Sequence, residues 1–328
     1  MGTLQPDKKP LKEITISCNP WYYCNLRCSF CYLTPDQLGD KQLLSLNDLS
    51  DRIDEVQDAG YTVTHVDLYG GEVTLLPKEY LDKLKGLLYS KGIMDIVMNT
   101  NLTAINAITE DLDYELSVSY DFSAREKSEL VFNNMISLNR WFDVLVLASR
   151  DVLDNVSIDE IVQSFNLLNN IRAVEVKPYS QNQANAQGVS FAEFEEFVLA
   201  IANHPEREFY FENVSQIKYA LSGERNSFSD DHLYITPAGH FAVLDFDLMD
   251  HEYFKPIRDI PHYLEWCEEE KVRVSANTFC NACEFKGSCL SEHLREVKSL
   301  EQSCNGFHNL LKRCQHESPA PATPGDHS

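Results

Sequence analysis

Short apolar, β-branched runs alternate with amphipathic stretches from residue 13 to about 180. The segments EITISC (13–18), TVTHVDLYGG (62–71), MDIVMNTN (94–101), YELSVSYD (114–121), FDVLVLASR (142–150) and RAVEVKPYS (172–180) predict buried strands. Between them, LNDLSDRIDEVQDAG (46–60), PKEYLDKLKGLLYSKG (77–92), SELVFNNMISLNRW (128–141) and SIDEIVQSFNLLNN (157–170) predict helices. Two of these end in Gly60 or Gly92, where a C-terminal cap is expected. Strand–helix alternation of this kind makes a parallel sheet with helices packed outside it. The predicted fold class is α/β, a partial (β/α)6 barrel short of the eight units of a closed one, with a small cysteine-rich hairpin and helix extension at the C-terminal end. Ligands of such sheets bind at the C-terminal ends of the strands.

SFAEFEEFVLAIANHP (190–205) predicts one more helix, and then the rhythm changes. HLYITPAGHFAVLDFD (232–247) predicts a hairpin turning at Pro237-Ala238-Gly239. The chain divides into an N-terminal extension (1–12), the partial barrel (13–205), a cysteine-rich unit (206–316) and a tail (317–328). The Pro-rich, apolar-poor composition of that tail predicts disorder.

The chain is 328 residues long and carries 51 acidic against 28 basic residues, a formal net charge of −23. That charge repels phosphate backbones, so no nucleic-acid partner is expected; it suits a basic peptide or a neutral small molecule. No apolar run is long enough to span a bilayer and the N-terminus lacks the apolar region of a signal peptide, so the expected location is the cytoplasm, with no membrane partner. In that setting the 10 cysteines read as metal ligands or reduced core thiols, not disulfides.

Cys24, Cys28 and Cys31 are spaced C-x3-C-x2-C in a loop directly after the first predicted strand. Three thiols suit a metal centre that keeps one coordination position open; a structural zinc site would want four ligands. The pattern resembles the signature of the radical S-adenosylmethionine enzymes. That resemblance implies a [4Fe–4S] cluster on the three thiolates, with S-adenosylmethionine on the open iron. It also implies one-electron reduction of the sulfonium to a 5′-deoxyadenosyl radical that abstracts a substrate hydrogen. Phe30 stands where the family places an aromatic near the adenine. Gly70-Gly71-Glu72 ends the second predicted strand and resembles the family's GGE segment, whose glycines admit the methionyl group and whose acid binds its amino group. Asn99 and Asn101 end the third strand. Ser117, Ser119 and Asp121 end the fourth and are candidates for the ribose, and Arg125 is a candidate for the cofactor carboxylate. No residue is singled out as catalytic.

Cys280, Cys283 and Cys289 follow C-x2-C-x5-C. They resemble the SPASM or twitch extension, which implies an auxiliary [4Fe–4S] cluster; a zinc site of four cysteines has the same appearance in sequence. The other SPASM cysteines are missing: Leu244 and His293 occupy two of their positions. The resemblance therefore implies one auxiliary cluster, closed by Cys304 in preference to Cys314. His293 and Asp245 could also ligate, but each reads first as an exposed linker residue. Cys18 reads as a buried thiol, and Cys267 and Cys314 have no assigned role.

The functional expectation is a radical S-adenosylmethionine oxidoreductase that oxidises or cross-links a ribosomally made peptide, served by an electron donor such as flavodoxin or ferredoxin. A carbohydrate or aminocyclitol dehydrogenase, or another natural-product tailoring enzyme, is the alternative substrate class. A zinc-binding scaffold is the non-enzyme alternative. About a dozen residues precede the first strand, too few for the leader-binding domain that many peptide modifiers carry.

Overall fold

A computed structural model of the chain describes residues 12–179, 188–244, 254–290, 304 and 306–316. The 1–11 part of the extension, the 317–328 tail, His293 and Asp245 lie outside the described residues. Six strands appear where the apolar runs place them: β1 (Lys12–Cys18), β2 (Tyr61–Leu68), β3 (Asp95–Thr100), β4 (Glu115–Ser119), β5 (Phe142–Ala148) and β6 (Ile171–Pro178). They are parallel neighbours in sequence order, in a register that aligns Cys18 with Leu68, Leu68 with Met98 and Met98 with Leu116. The helices among the described residues are α1 (Pro35–Gly39), α2 (Leu46–Asp58), α3 (Lys78–Ser90), α4 (Ser128–Ser137), α5 (Arg150–Asn155), α6 (Ile158–Asn166), α7 (Phe191–Ala202), α8 (Glu212–Ser222), α9 (Ile260–Ala276), α10 (Thr278–Ala282) and α11 (His308–His316). Gly60 and Gly92 follow α2 and α3 with positive φ, as end caps require.

The strands are two-faced. Ile14, Ile16, Cys18, Val66, Leu68, Ile96, Met98, Val144 and Val146 belong to one continuous core with helix residues such as Ile53, Leu84 and Phe165. The residues between them, including Ser17, Asp67, Asn99, Ser117 and Ser119, line an internal cavity. The period of two along a strand thus puts apolar side chains under the helices and polar ones around a ligand space.

The predicted hairpin forms from β7 (His232–Ile235) and β8 (Phe241–Leu244), joined by β9 (Phe254–Ile257). β7 lies parallel to β1, pairing Cys18 with Ile235, and β8 and β9 continue antiparallel. The result is one open nine-stranded sheet in the order β6-β5-β4-β3-β2-β1-β7-β8-β9. At the far edge β6 is covered by the start of α8. Val174 N donates to Tyr210 O at 2.9 Å, while Asn213 exchanges two 2.8 Å hydrogen bonds with the Val176 backbone. One side chain thereby satisfies edge groups that a further strand would otherwise pair. No helix among the described residues is long and apolar enough to cross a membrane.

His65 on β2 sits between two carboxylates, 3.2 Å from Asp67 and 2.8 Å from Asp95. The hydrogen bond to Asp67, working against partial burial and assisted by Asp95, pushes its pKa up to about 9. A raised pKa stabilises the fold fully below the unfolded value near 6.5, and that contribution is lost as pH rises through the folded value. His65→Gln is therefore expected to be less stable than wild type at pH 6 by roughly 1 kcal/mol after solvent screening. The gap should close by pH 10. Thermal unfolding of both proteins across that range checks it, and a gap independent of pH would show that the pair does not act electrostatically.

Candidate functional site

The chain leaves β1 at Cys18 and runs beside the end of β2 before reaching the cysteines. Gly71 N donates to Trp21 O at 3.2 Å, Glu72 N to Tyr23 O at 2.8 Å, and the Trp21 indole to Glu72 O at 3.0 Å. This close passage explains the paired glycines. A Cβ on Gly71 would lie 2.1 Å from Tyr23 O, and one on Gly70, whose φ is +122°, would lie 2.9 Å from Trp21 O. Backbone cannot yield by that much, so the positions exclude any side chain. The glycines thus have a role inside the protein itself: they let the cysteine loop lie flat on the end of the sheet.

Cys24, Cys28 and Cys31 face a cavity of about 1210 Å³ at the C-terminal ends of the strands. Phe30, Gly70, Gly71 and Glu72 border the same space, as do Asn99, Asn101, Ser117, Ser119, Asp121 and Arg125. Every first-site residue singled out in the sequence therefore lines one cavity. Desolvation pushes the Cys28 thiol up to about 11 and raises Cys24 and Cys31, while Arg125 opposes the shift in all three. Such thiols stay protonated at neutral pH until a metal displaces the proton.

Arg125 reaches Cys28 Sγ at 3.7 Å and lies over the Phe30 ring at 5.4 Å. Its guanidinium is held on Asp121 Oδ2 by bonds of 2.8 and 2.5 Å, and the other Asp121 oxygen accepts from Leu147 N at 2.6 Å. Asn101 Nδ2 donates to Asn25 Oδ1 at 2.9 Å and lies 3.7 Å from Cys24 Sγ. A donor set of three thiols, with N–H groups turned toward two of them and open space beyond, fits a cluster carrying an exchangeable fourth position.

Glu72 is the most constrained member. It is 1% exposed, and its Oε1 accepts from Thr74 N (3.0 Å), Thr74 Oγ1 (2.6 Å) and Thr100 Oγ1 (2.6 Å), while Oε2 accepts from Asn101 N at 2.7 Å. The carboxylate ties the end of β2 to the end of β3. The sequence reading missed Asn25, Thr74 and Thr100. Thr100, within the Asn99–Asn101 strand end, was the one with a local signal.

Cys280, Cys283, Cys289 and Cys304 line a second, small pocket with Phe279, Phe285, Gly306 and His308. Cys280 and Cys283 flank the end of α10, and Gly306 N donates to Cys304 Sγ at 3.3 Å. Burial pushes the Cys280 thiol up to about 11 and raises Cys283 and Cys304. Four thiols around one pocket form a donor set of the kind a four-iron cluster takes; among the described residues no group of three or more His, Cys, Asp or Glu converges closely enough to hold a single metal ion. Cys314 is instead 3% exposed within the core, on the side of α11 that carries Leu310 and Leu311. Cys18 and Cys267 are likewise buried, each pushed up to about 12 by desolvation. The two cysteine regions share a wall. Arg225 and Leu290 line the large cavity, and the Arg225 guanidinium donates to Cys289 O and Leu290 O, both at 3.1 Å.

No curated protein matches the sequence. Among solved structures, native anSMEcpe with bound AdoMet and Cp18Cys peptide aligns with a TM-score of 0.67 at 13% identity, covering 92% of this chain and 95% of that one. Streptococcus suis SuiB bound to S-adenosylmethionine aligns with a TM-score of 0.59 at 16% identity, over 92% of this chain and 77% of that one. SuiB bound to its precursor peptide SuiA gives 0.59 at 17%, over 90% and 76%. At these identities the likeness is one of fold. The family model described as Radical SAM superfamily matches residues 18–119. That span runs from the end of β1 to the end of β4 and takes in the cysteine loop, the glycine pair with Glu72, and Asn99 to Asn101; the chain carries a domain of the Radical SAM superfamily.

Proposed function

We propose that this protein is a radical S-adenosylmethionine oxidoreductase that modifies a ribosomally made peptide. Residues 13–205 would bind the cofactor and 206–316 an auxiliary [4Fe–4S] cluster. A Radical SAM domain implies S-adenosylmethionine and a [4Fe–4S] cluster. Cys24, Cys28 and Cys31 would hold the cluster, which with S-adenosylmethionine on its open position would supply radical chemistry able to take hydrogen from an unactivated C–H bond. Arg125 sets a positive charge beside the thiolates, Phe30 offers a face for the adenine, and Ser117 and Ser119 offer hydroxyls at a strand end. The cysteine loop, laid over Gly70 and Gly71, lines that end of the cavity. Cys280, Cys283, Cys289 and Cys304 hold the auxiliary cluster, and Arg225 bridges its loop to the substrate space.

The observation that carries the reading is the extent of the cavity. At about 1210 Å³ it exceeds the roughly 300–1,000 Å³ that suits one small ligand, and it reaches from the first cysteine loop to Leu290 beside the second. Its wall on the β1–β7 side is aromatic: Tyr69 packs on Tyr234 at 6.0 Å and on Tyr32 at 6.4 Å. That leaves room for a large side chain beyond the cofactor. The peptide-bound anSMEcpe and SuiB structures support a peptide as substrate, and the net acidic charge suits a basic one. The electron donor would be a flavodoxin or ferredoxin.

The test is to read the neighbouring genes for a short precursor peptide and to incubate that peptide anaerobically with reconstituted enzyme, S-adenosylmethionine and a reductant; absence of any such peptide gene would count against the assignment. The expected outcome is 5′-deoxyadenosine formation together with a peptide two hydrogens lighter. Nucleoside production with no change in peptide mass would overturn the peptide assignment.

A further inference from the structure

We propose that His308 is a positioning donor to the second cysteine site and raises the reduction potential of the cluster held there; this rests on the auxiliary-cluster reading above. His308 opens α11 and meets two of the four thiols at once. Its ring Nδ1 lies 3.3 Å from Cys283 Sγ, and its backbone N–H is hydrogen-bonded to Cys304. Those cysteines belong to separate segments, one after α10 and one ahead of α11, so a single residue joins both halves of the ligand set.

The imidazole is held in place. Its ring packs edge-on against Phe279 at 5.2 Å and 84°, and against Phe285 at 5.6 Å and 60°. Both phenylalanines and Val274 line the same pocket as the cysteines, so the contact lies in an apolar setting where a hydrogen bond has more electrostatic effect than in water.

The chemistry fixes the direction of the bond. A metal-bound thiolate carries no proton, so the sulfur only accepts and Nδ1 is the donor. An N–H group on a ligating sulfur draws charge from it and favours the more negative, reduced state of the cluster, raising its potential. The Gly306 N–H on Cys304 acts in the same sense, but it is main chain and persists in any variant at 308. The His308 ring is the part a substitution can remove. A higher potential suits a centre that must accept one electron from a substrate radical.

The test uses full-length protein reconstituted anaerobically in a Cys24→Ala, Cys28→Ala, Cys31→Ala background, so that only the auxiliary centre contributes signal. His308, His308→Gln and His308→Leu are compared by iron content and by redox titration followed by electron paramagnetic resonance. About four irons per chain should be retained in all three. His308→Leu is expected to lower the reduced-to-oxidised ratio at fixed potential about tenfold, equivalent to ~59 mV for one electron. His308→Gln, which keeps an N–H, should fall in between. Equal midpoints in all three proteins would overturn the role of His308 and leave the auxiliary cluster standing. Absence of iron from the background protein with His308 intact would remove the auxiliary cluster itself. Loss of iron from both His308 variants, with retention in Cys304→Ala, would make His308 a ligand and overturn its role as a donor.

Discussion

Replacing Cys24, Cys28 and Cys31 together by Ala is expected to bring 5′-deoxyadenosine formation down to background while the protein remains folded. Iron should fall from about eight to about four per chain, because the auxiliary thiols are untouched. The fold should survive because none of the three side chains belongs to the buried core. The loop is placed by its backbone: Cys24 N donates to Leu38 O and Cys31 N to Cys28 O, both at 3.1 Å, and Tyr23 O still accepts from Glu72 N. These bonds do not involve sulfur. Nucleoside quantitation under reducing conditions, an iron assay and far-ultraviolet circular dichroism on the same sample check the three parts. Continued nucleoside formation would show that the site has been misassigned. Complete loss of iron would mean that the second cysteine group holds none.

Glu72→Gln is the second large effect, and it should appear even in the metal-free protein. Each carboxylate oxygen faces one backbone N–H that cannot reverse its role: Thr74 N points at Oε1 and Asn101 N at Oε2. The threonine hydroxyls can rotate and accept, but a glutamine must set its NH2 against one of the two backbone donors whichever way it turns. A buried donor left without an acceptor costs about 1–3 kcal/mol. The variant should therefore unfold at a lower temperature than wild type before any cofactor is added. In the proposed cofactor site, where Glu72 would face the amino group, losing its negative charge should also lower S-adenosylmethionine affinity by roughly tenfold to a hundredfold, at about 1.4 kcal/mol per decade. Cluster content should hold, since no thiol changes. Unaltered apo stability would contradict the hydrogen-bond geometry, and unaltered affinity would remove Glu72 from the cofactor site. The two readouts separate the structural role from the binding role.

The first site was legible in the chain because its chemistry is local. Cys24, Cys28 and Cys31 lie within eight consecutive residues, and the strand ends that face them announce themselves as polar residues closing apolar runs. A parallel sheet brings all its strand ends to one rim, so residues as far apart as Phe30, Asn99 and Ser119 converge once the order of strands is known. The purpose of Gly70 and Gly71 was less legible. From sequence they resemble a segment that admits a cofactor; the structure adds that the Trp21–Tyr23 backbone already occupies the space above them. Glu72 is similar. Its charge was visible, but its four donors come from Thr74, Thr100 and Asn101, and nothing in the spacing of those residues marks them as one hydrogen-bonded set.

At the second site the resemblance already favoured Cys304 over Cys314, and the tertiary structure supplies the physical reason. Cys304 and Cys314 are both cysteines near one short helix. Cys304 precedes that helix and joins the pocket, whereas Cys314 lies on its buried face. A helix shows only one side to the core, and sequence does not say where the helix will dock. His308 carried no signal at all, because its partner Cys283 lies on a separate segment. The hairpin strands β7 and β8 were predicted, but not their place beside β1. Alternation of apolar and polar residues determined β1 to β6, the longer helices between them and their parallel order, since each follows from contacts between neighbours in the chain, whereas α8, α9 and β9 were not read from it. Pairings across two hundred residues, such as Cys18 with Ile235, were decided only by packing, because a strand's pattern records that it has neighbours without naming them.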